Sequence, residues 1–245
     1  MNYSYWEYKE WFTGNDFVII GSGIVGLNCA INLRERFPTS KIIILEKGFL
    51  PQGASTKNAG FACFGSTSEL LSDLKTHSDQ EVFQLVKKRW EGLQLLRNLL
   101  GDKNIDYQHH YGYELFSEEA FFEECEQKTA ELNQLLFPLF KNAVFSSVHN
   151  KFKFKKTVPT YLVNQFEGQI DTGKMVSQLL KIAQQKGIII LNNTTVQGFS
   201  EDTNKVKIET DQGVFTASKL FFATNGFSKE LLQENVAPAR AQVLI

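Results

Sequence analysis

Cysteine is scarce in this sequence. Cys29, Cys63 and Cys125 are the only three in 245 residues, and no two stand at a metal-ligand spacing. That excludes a zinc finger or ribbon and leaves no disulfide framework, so a reduced, cytoplasmic setting is the expectation. Long apolar runs are also missing. The longest has the length of a strand, too short to span a bilayer. Neither sign of charge prevails: 26 Lys and Arg stand against 27 Asp and Glu, a formal net charge of −1. That balance gives no reason to expect nucleic acid or a membrane surface as partner. The opening MNYSYWEYKEWF is aromatic and acidic and lacks the charged-then-apolar order of a signal peptide. Repeats, low-complexity tracts, a Ser-His-Asp arrangement and metal-ligand clusters are all lacking. What remains is ordinary globular material, 42% hydrophobic and 22% charged with 21 phenylalanines, long enough for one large or two modest domains.

The most informative stretch is DFVIIGSGIVGLNCAINLRERFPTSKIIILEKG, residues 16–48. Phe17 to Ile20 reads as a strand buried on both faces. Ile24 to Phe37 has helical spacing and ends before Pro38, and Lys41 to Leu45 is a second apolar strand closed by Glu46. Strand, glycine turn, helix and strand within about thirty residues make one βαβ unit. Gly21 permits the sharp bend, Gly23 leaves room for a pyrophosphate, and Gly26 lets the helix lie close to the strand. The helix N-terminus offers N–H groups and positive potential to phosphates. Glu46, twenty residues past Gly26, suits ribose hydroxyls and repels a 2′-phosphate, which argues against NADP.

Downstream, residues 48–66 form a long loop rich in small and polar residues, a length that usually carries function. Helical spacing begins at Ser68, breaks at His77 to Asp79, and resumes as a core stripe from Val82 to Leu100, with Gly101 as its stop. YGYELF (111–116) reads as a strand. Ser117 reads as the start of a helix ending near Phe137, before Pro138. Val144 to Val148 and Lys151 to Lys155 are ambiguous, and Thr160 to Asn164 is another strand. From about Asp171 a capped helix runs to Gly187, followed by a buried parallel strand at Ile188 to Leu191. Val206 to Thr216 reads as a hairpin around residues 211–213, and Lys219 to Ala223 as a last strand. The expectation is an α/β protein. Residues 1–66 and 166–230 form a discontinuous nucleotide-binding sheet domain, interrupted by a mostly helical α+β part.

At this point the sequence resembles the D-amino-acid oxidase-like FAD-dependent oxidoreductases, the group of glycine oxidase, sarcosine oxidase and D-amino-acid dehydrogenase. The likeness is carried by VIIGSGIVGLNCAINL with LEKG, by GASTKNAGF, by GQIDTGKMVSQLLKIAQQKGIIILNNTTV, and by KLFFATNGFS followed by PARAQVL. It implies a Rossmann-like FAD-binding domain of the glutathione-reductase type, with 67–165 and 231–245 as an incomplete substrate or cap domain. It also implies that Gly21, Ser22, Gly23, Ile24, Val25 and Gly26 line the FAD pyrophosphate, that Glu46 holds the adenosine ribose, and that Lys47 flanks it. Ser55 and Thr56 would meet the diphosphate, and Asn58, Ala59, Gly60 and Phe61 would lie beside the isoalloxazine. Val196 would meet adenine through its backbone, and Ala223, Thr224, Asn225 and Gly226 would close the phosphate side. Two departures stand out. Ala241 replaces the glycine of the family's Pro-x-Arg-Gly-Gln, and the chain stops at Ile245, before the family's C-terminal segment, so it reads as C-terminally truncated.

Several residues admit two readings. Cys63 is a redox thiol or attachment point, or a small packed loop residue, and the second is the commoner use. His109 and His110 are a base, or an exposed pair at a strand start. Arg240 pairs with a substrate carboxylate, or is structural. The resemblance implies hydride transfer from a CH–NH donor, an amino acid or secondary amine, to FAD. The alternatives are a CH–OH donor such as a 2-hydroxy acid or glycerol 3-phosphate, and a flavin-binding fragment without catalysis.

Overall fold

Short apolar runs become strands here because both of their faces are covered. The computed structural model describes residues 3–233 and 235–237. In chain order, helix α1 (Tyr5–Glu7) continues as a π-turn over Tyr8–Phe12 and leads to β1 (Asn15–Ile20), α2 (Ile24–Arg36) and β2 (Ile42–Leu45). A 3-10 turn (Ala54–Thr56) precedes β3 (Phe61–Ala62), α3 (Thr67–Leu74) and α4 (Asp79–Leu100). Next come β4 (Gly112–Glu114), α5 (Glu119–Phe140), β5 (Phe145–His149), β6 (Thr160–Asn164) and β7 (Gly168–Gln169). The chain then forms α6 (Thr172–Gln185), β8 (Ile189–Leu191), β9 (Val196–Asp202), β10 (Lys205–Thr210), β11 (Gly213–Phe222) and α7 (Ser228–Leu232). It divides into two units, Met1–Ala59 with Thr172–Ile245, and Gly60–Asp171.

The first unit holds a six-stranded mixed sheet in the order β8-β2-β1-β11-β10-β9. The first four strands are parallel and the last two pair antiparallel. Val18, Ile20, Ile43 and Leu45 pack on one face with Phe12, Ile208 and Phe215. Alternation turns Phe17, Ile19, Ile42 and Ile44 to the other face, where α2 and α6 pack against each other. Phe12 stacks on Phe215 with centroids 4.4 Å apart, so the aromatic N-terminal segment is tied to the sheet.

The second unit combines the antiparallel sheet β4-β6-β5 and the small pair β3-β7 with α3, α4 and α5. Val82 and Val86 of α4 meet Leu132, Leu136 and Phe140 of α5 around Phe64. Serine capping boxes begin α3 (Ser66 with Glu69) and α4 (Ser78 with Glu81), and Gly101 ends α4 at φ 80°.

Four local expectations are corrected. Helix α5 has Glu118, not Ser117, at its N-cap, with no side-chain cap, and runs through Pro138 to Phe140. A proline in the last turn forfeits one hydrogen bond, and burial of Leu136 and Phe140 carries the helix past it. Residues 213–222 are one ten-residue strand rather than a hairpin arm and a separate strand. Its first half pairs antiparallel with β10 and its second parallel with β1. The unexpected partner is β9, which adds a second hairpin at 203–204. Strand β8 is half-buried at the sheet edge, not enclosed. The units part at 59/60 and 171/172 rather than near 66 and 166, because β3 pairs with β7 and Ile170 N–H donates to Gly60 O at 2.8 Å.

Candidate functional site

The C-terminal ends of β1, β2, β8 and β11 meet at one edge of the sheet, the place where open parallel sheets bind ligands. The glycine turn sits there. Gly21 has φ 100°, and a Cβ on it would stand 2.7 Å from Ala223 O, so neither conformation nor space admits another residue. A Cβ on Gly26 would lie 1.9 Å from Gly21 O, which presses α2 onto the turn. Gly23 is the N-cap of α2 and has no capping side chain of its own. Instead Ser55 Oγ accepts from Ile24 N at 2.9 Å, and a Cβ on Gly23 would stand 2.8 Å from that hydroxyl. Val25, in the first turn, is 69% exposed. The first turn of α2 therefore presents N–H groups without helical partners beside a surface that only glycine can form.

Glu46 stands behind this cradle. Its buried carboxylate accepts on Oε2 from Ser22 N at 2.9 Å and Ser22 Oγ at 2.7 Å, and on Oε1 from Gly48 N at 2.9 Å. An ionised carboxylate has about four acceptor positions, so one remains for another donor. Thr194 N donates to Glu46 O at 2.9 Å, and Asn193 N to Gly48 O at 3.2 Å. These bonds draw the β8–β9 connection across the sheet edge and bring Val196, at the start of β9, to within two residues of Glu46's backbone. Lys47 is exposed, its Nζ 3.7 Å from the Phe227 ring centroid.

Opposite Gly21, Ala223 N donates to Ile20 O at 2.9 Å. Thr224 Oγ1 is buried and has no hydrogen-bond partner among the described residues. Asn225 is left-handed at φ 50° and, with Gly226, lies in a 3-10 turn. A cradle that a Cβ would fill, a helix N-terminus and an orphaned hydroxyl fit a pyrophosphate-bearing group.

The remaining expected residues are placed less tightly. Thr56 Oγ1 donates to Pro51 O at 2.8 Å, turning its proton into its own loop. Asn58 donates to Ala54 O and Ser55 O, bracing the turn that carries Ser55. Ala59 ends the first unit. Gly60, at φ 76°, and the 71% exposed Phe61 open the second. His109 and His110 are exposed, engaged with Gln165 O and Gln108 Oε1. Cys63 is exposed as a residue, but desolvation around its thiol, with the charges of Glu167 and Glu69 adding to it, pushes the thiol up to about 11, so it stays protonated at neutral pH. Arg240 and Ala241 lie outside the described residues. The Ser22–Glu46 pairing was not read from the sequence. Its signal was a serine between the first two glycines and an acid at the end of the next strand. Among the described residues no His, Cys, Asp and Glu group could hold a metal.

The fold is an open α/β sheet, and the turn at its edge fits a pyrophosphate-bearing group. Residues 16–245 match the family DAO, FAD dependent oxidoreductase, and the chain belongs to that family. It is 26% identical over 253 residues to the bifunctional protein ThiO/ThiG of Synechocystis sp., covering 95% of this chain and 33% of that protein. Its fold is similar to glycine oxidase from Geobacillus kaustophilus (TM-score 0.68, 18% identity, 89% of this chain and 57% of that one). It is also similar to L-amino acid deaminase from Proteus myxofaciens (TM-score 0.64, 19% identity, 89% and 47%). The chain thus spans about a third of that curated relative and about half of these solved chains.

Proposed function

We propose that the first unit is a Rossmann-like FAD-binding domain of the glutathione-reductase type, and that the protein oxidises a CH–NH donor, an amino acid or a secondary amine. The carrying observation is the glycine cradle at the sheet edge, backed by the Ser22–Glu46 pair. Bound FAD supplies the hydride acceptor for converting a carbon bearing an amine to an imine, which water hydrolyses. The chain's own part is to bind and orient. Gly21 to Gly26 hold the pyrophosphate with α2 N–H groups, and Ser55 and Thr224 add hydroxyls. Glu46 keeps an acceptor position for a ribose hydroxyl, with Lys47 flanking, and Val196 offers backbone to adenine. Asn225 and Gly226 close the phosphate side. Asn58 to Phe61 serve the flavin side.

Three of the similar proteins act on amino acids by name, namely the glycine oxidase, the L-amino acid deaminase and NikD, an amino acid oxidase. That supports an amine over a 2-hydroxy acid. The test is a fluorescence titration of the full chain with FAD, with ADP as competitor, followed by anaerobic bleaching of the flavin spectrum. Saturable FAD binding relieved by ADP, with bleaching by an amino acid or secondary amine, is expected. Bleaching by 2-hydroxy acids alone would overturn the donor class, and absence of competition by ADP would overturn the cradle's role.

A further inference from the structure

The connection from β5 to β6 packs four lysines and two phenylalanines into six residues, KFKFKK at 151–156. All six are exposed, Phe152 to 45% and Phe154 to 54%. The loop is braced from inside. Asn150 Nδ2 donates to Phe154 O at 3.1 Å, Phe154 N donates back to Asn150 Oδ1 at 3.2 Å, and Asn150 N donates to Pro159 O at 2.7 Å. The Tyr161 hydroxyl also donates to Asn150 Oδ1. Phe152 stacks on Tyr161 at 6.0 Å and meets Tyr113 edge-on at 4.8 Å. Lys153 and Lys156 hold left-handed φ of 57° and 63°. The loop backbone and the Phe152 ring are therefore held in a defined arrangement.

Their charge has no internal answer. Among the described residues no carboxylate pairs with Lys153, Lys155 or Lys156, and Lys151 donates to the Tyr113 hydroxyl at 3.0 Å. Without these four lysines the formal charge of −1 becomes −5, so the loop is a basic segment on a chain whose remainder is net negative.

We propose that this loop docks the protein on the surface of an anionic phospholipid bilayer. The lysines meet the headgroups, and Phe154, beside Phe152, enters the interfacial layer. Lysine clusters are drawn to anionic leaflets, and neighbouring apolar rings add burial at the headgroup boundary. A nucleic acid is the weaker match, because a strand needs a longer basic track than one loop on an otherwise acidic chain supplies. No helix among the described residues is long and apolar enough to cross a membrane.

The test is sedimentation of the full chain with vesicles of phosphatidylcholine, with and without phosphatidylglycerol, at low and high salt. Binding is expected only to the anionic vesicles and falls with salt. The triple variant K153Q/K155Q/K156Q should weaken it on the order of 100-fold, and F154S roughly tenfold. Equal binding to both vesicle types, or an unchanged triple variant, would overturn the proposal. So would release of the chain from anionic vesicles by a single-stranded oligonucleotide at matched phosphate concentration. Should the triple variant misfold, the lipid and salt dependence of the parent and the F154S result decide.

Discussion

Gly23 and Gly26 belong to one motif, yet the structure asks different things of them. The atom that a Cβ on Gly23 meets is the Ser55 hydroxyl, at 2.8 Å, which can rotate away. Gly23→Val should therefore cost no more than the Ser55–Ile24 capping bond, about 0.5–1.5 kcal/mol, while removing FAD from the purified protein. Flavin content equal to the parent would reject the cradle. The atom that a Cβ on Gly26 meets is a backbone carbonyl at 1.9 Å, which cannot move without parting α2 from β1. Gly26→Ala should cost about 1–3 kcal/mol or more in urea unfolding, with or without cofactor. Glu46 joins both roles, since Ser22 is fully buried and donates twice to its carboxylate. Glu46→Ala should cost about 1.5–3 kcal/mol of stability from these charge-assisted bonds and weaken FAD further. A variant of parental stability would mean that Ser22 finds another acceptor.

At the scale of elements, the strongly periodic or strongly punctuated segments were legible. Strands β1 and β2, helix α2, and α4 with its Gly101 stop follow directly from apolar spacing and glycine. The misses have physical causes. β11 looked like two elements because its pattern changes where its neighbour changes from β10 to β1, and a strand's partners are a tertiary fact. The end of α5 was misjudged because a local breaker was outweighed by distant packing. Asn133 shows how firmly α5 is held: its Oδ1 accepts from Val144 N and Phe145 N, both at 2.8 Å, and its Nδ2 donates to Phe145 O at 2.9 Å. Pro138 is exposed on this anchored helix. Pro138→Ala restores a donor to the last turn and should raise stability by about 1–3 kcal/mol. A lower denaturation midpoint would show that the turn depends on the ring.

At the scale of the whole molecule, the glycine turn at the sheet edge was legible because its residues come from one short motif, whereas the buried acid of the second unit was not. Glu167 is near Glu69 and Glu114 only because β4 pairs with β6 and α3 packs nearby, and no spacing announces that. Its side chain takes the space over Gly112, where a Cβ would stand 1.8 Å from Oε2, and accepts from Asn164 Nδ2 at 3.1 Å. Desolvation first, then the charge of Glu69, pushes its carboxyl from 4.5 up to about 7, while Gly65 N–H and Asn164 pull it back. The folded chain then holds a proton on Glu167 over a range where the unfolded chain has lost it. This contribution is fully present below pH 4.5 and lost as pH rises through about 7. The difference amounts to about 3 kcal/mol. Carboxylates with lowered values act in another window. Glu81, held down by the Ser78 N–H and hydroxyl, and Asp102, held down by Arg97, contribute above their ordinary values of 4.5 and 3.8 and lose that as pH falls. Between about pH 5 and about pH 8 Glu167 therefore contributes a fall in stability as pH rises. Urea unfolding followed by far-UV circular dichroism should show the parent losing stability across that range. Glu167→Gln should be nearly flat there and more stable than the parent at the alkaline end. A variant that keeps the parent's slope would mean that another buried group carries the proton.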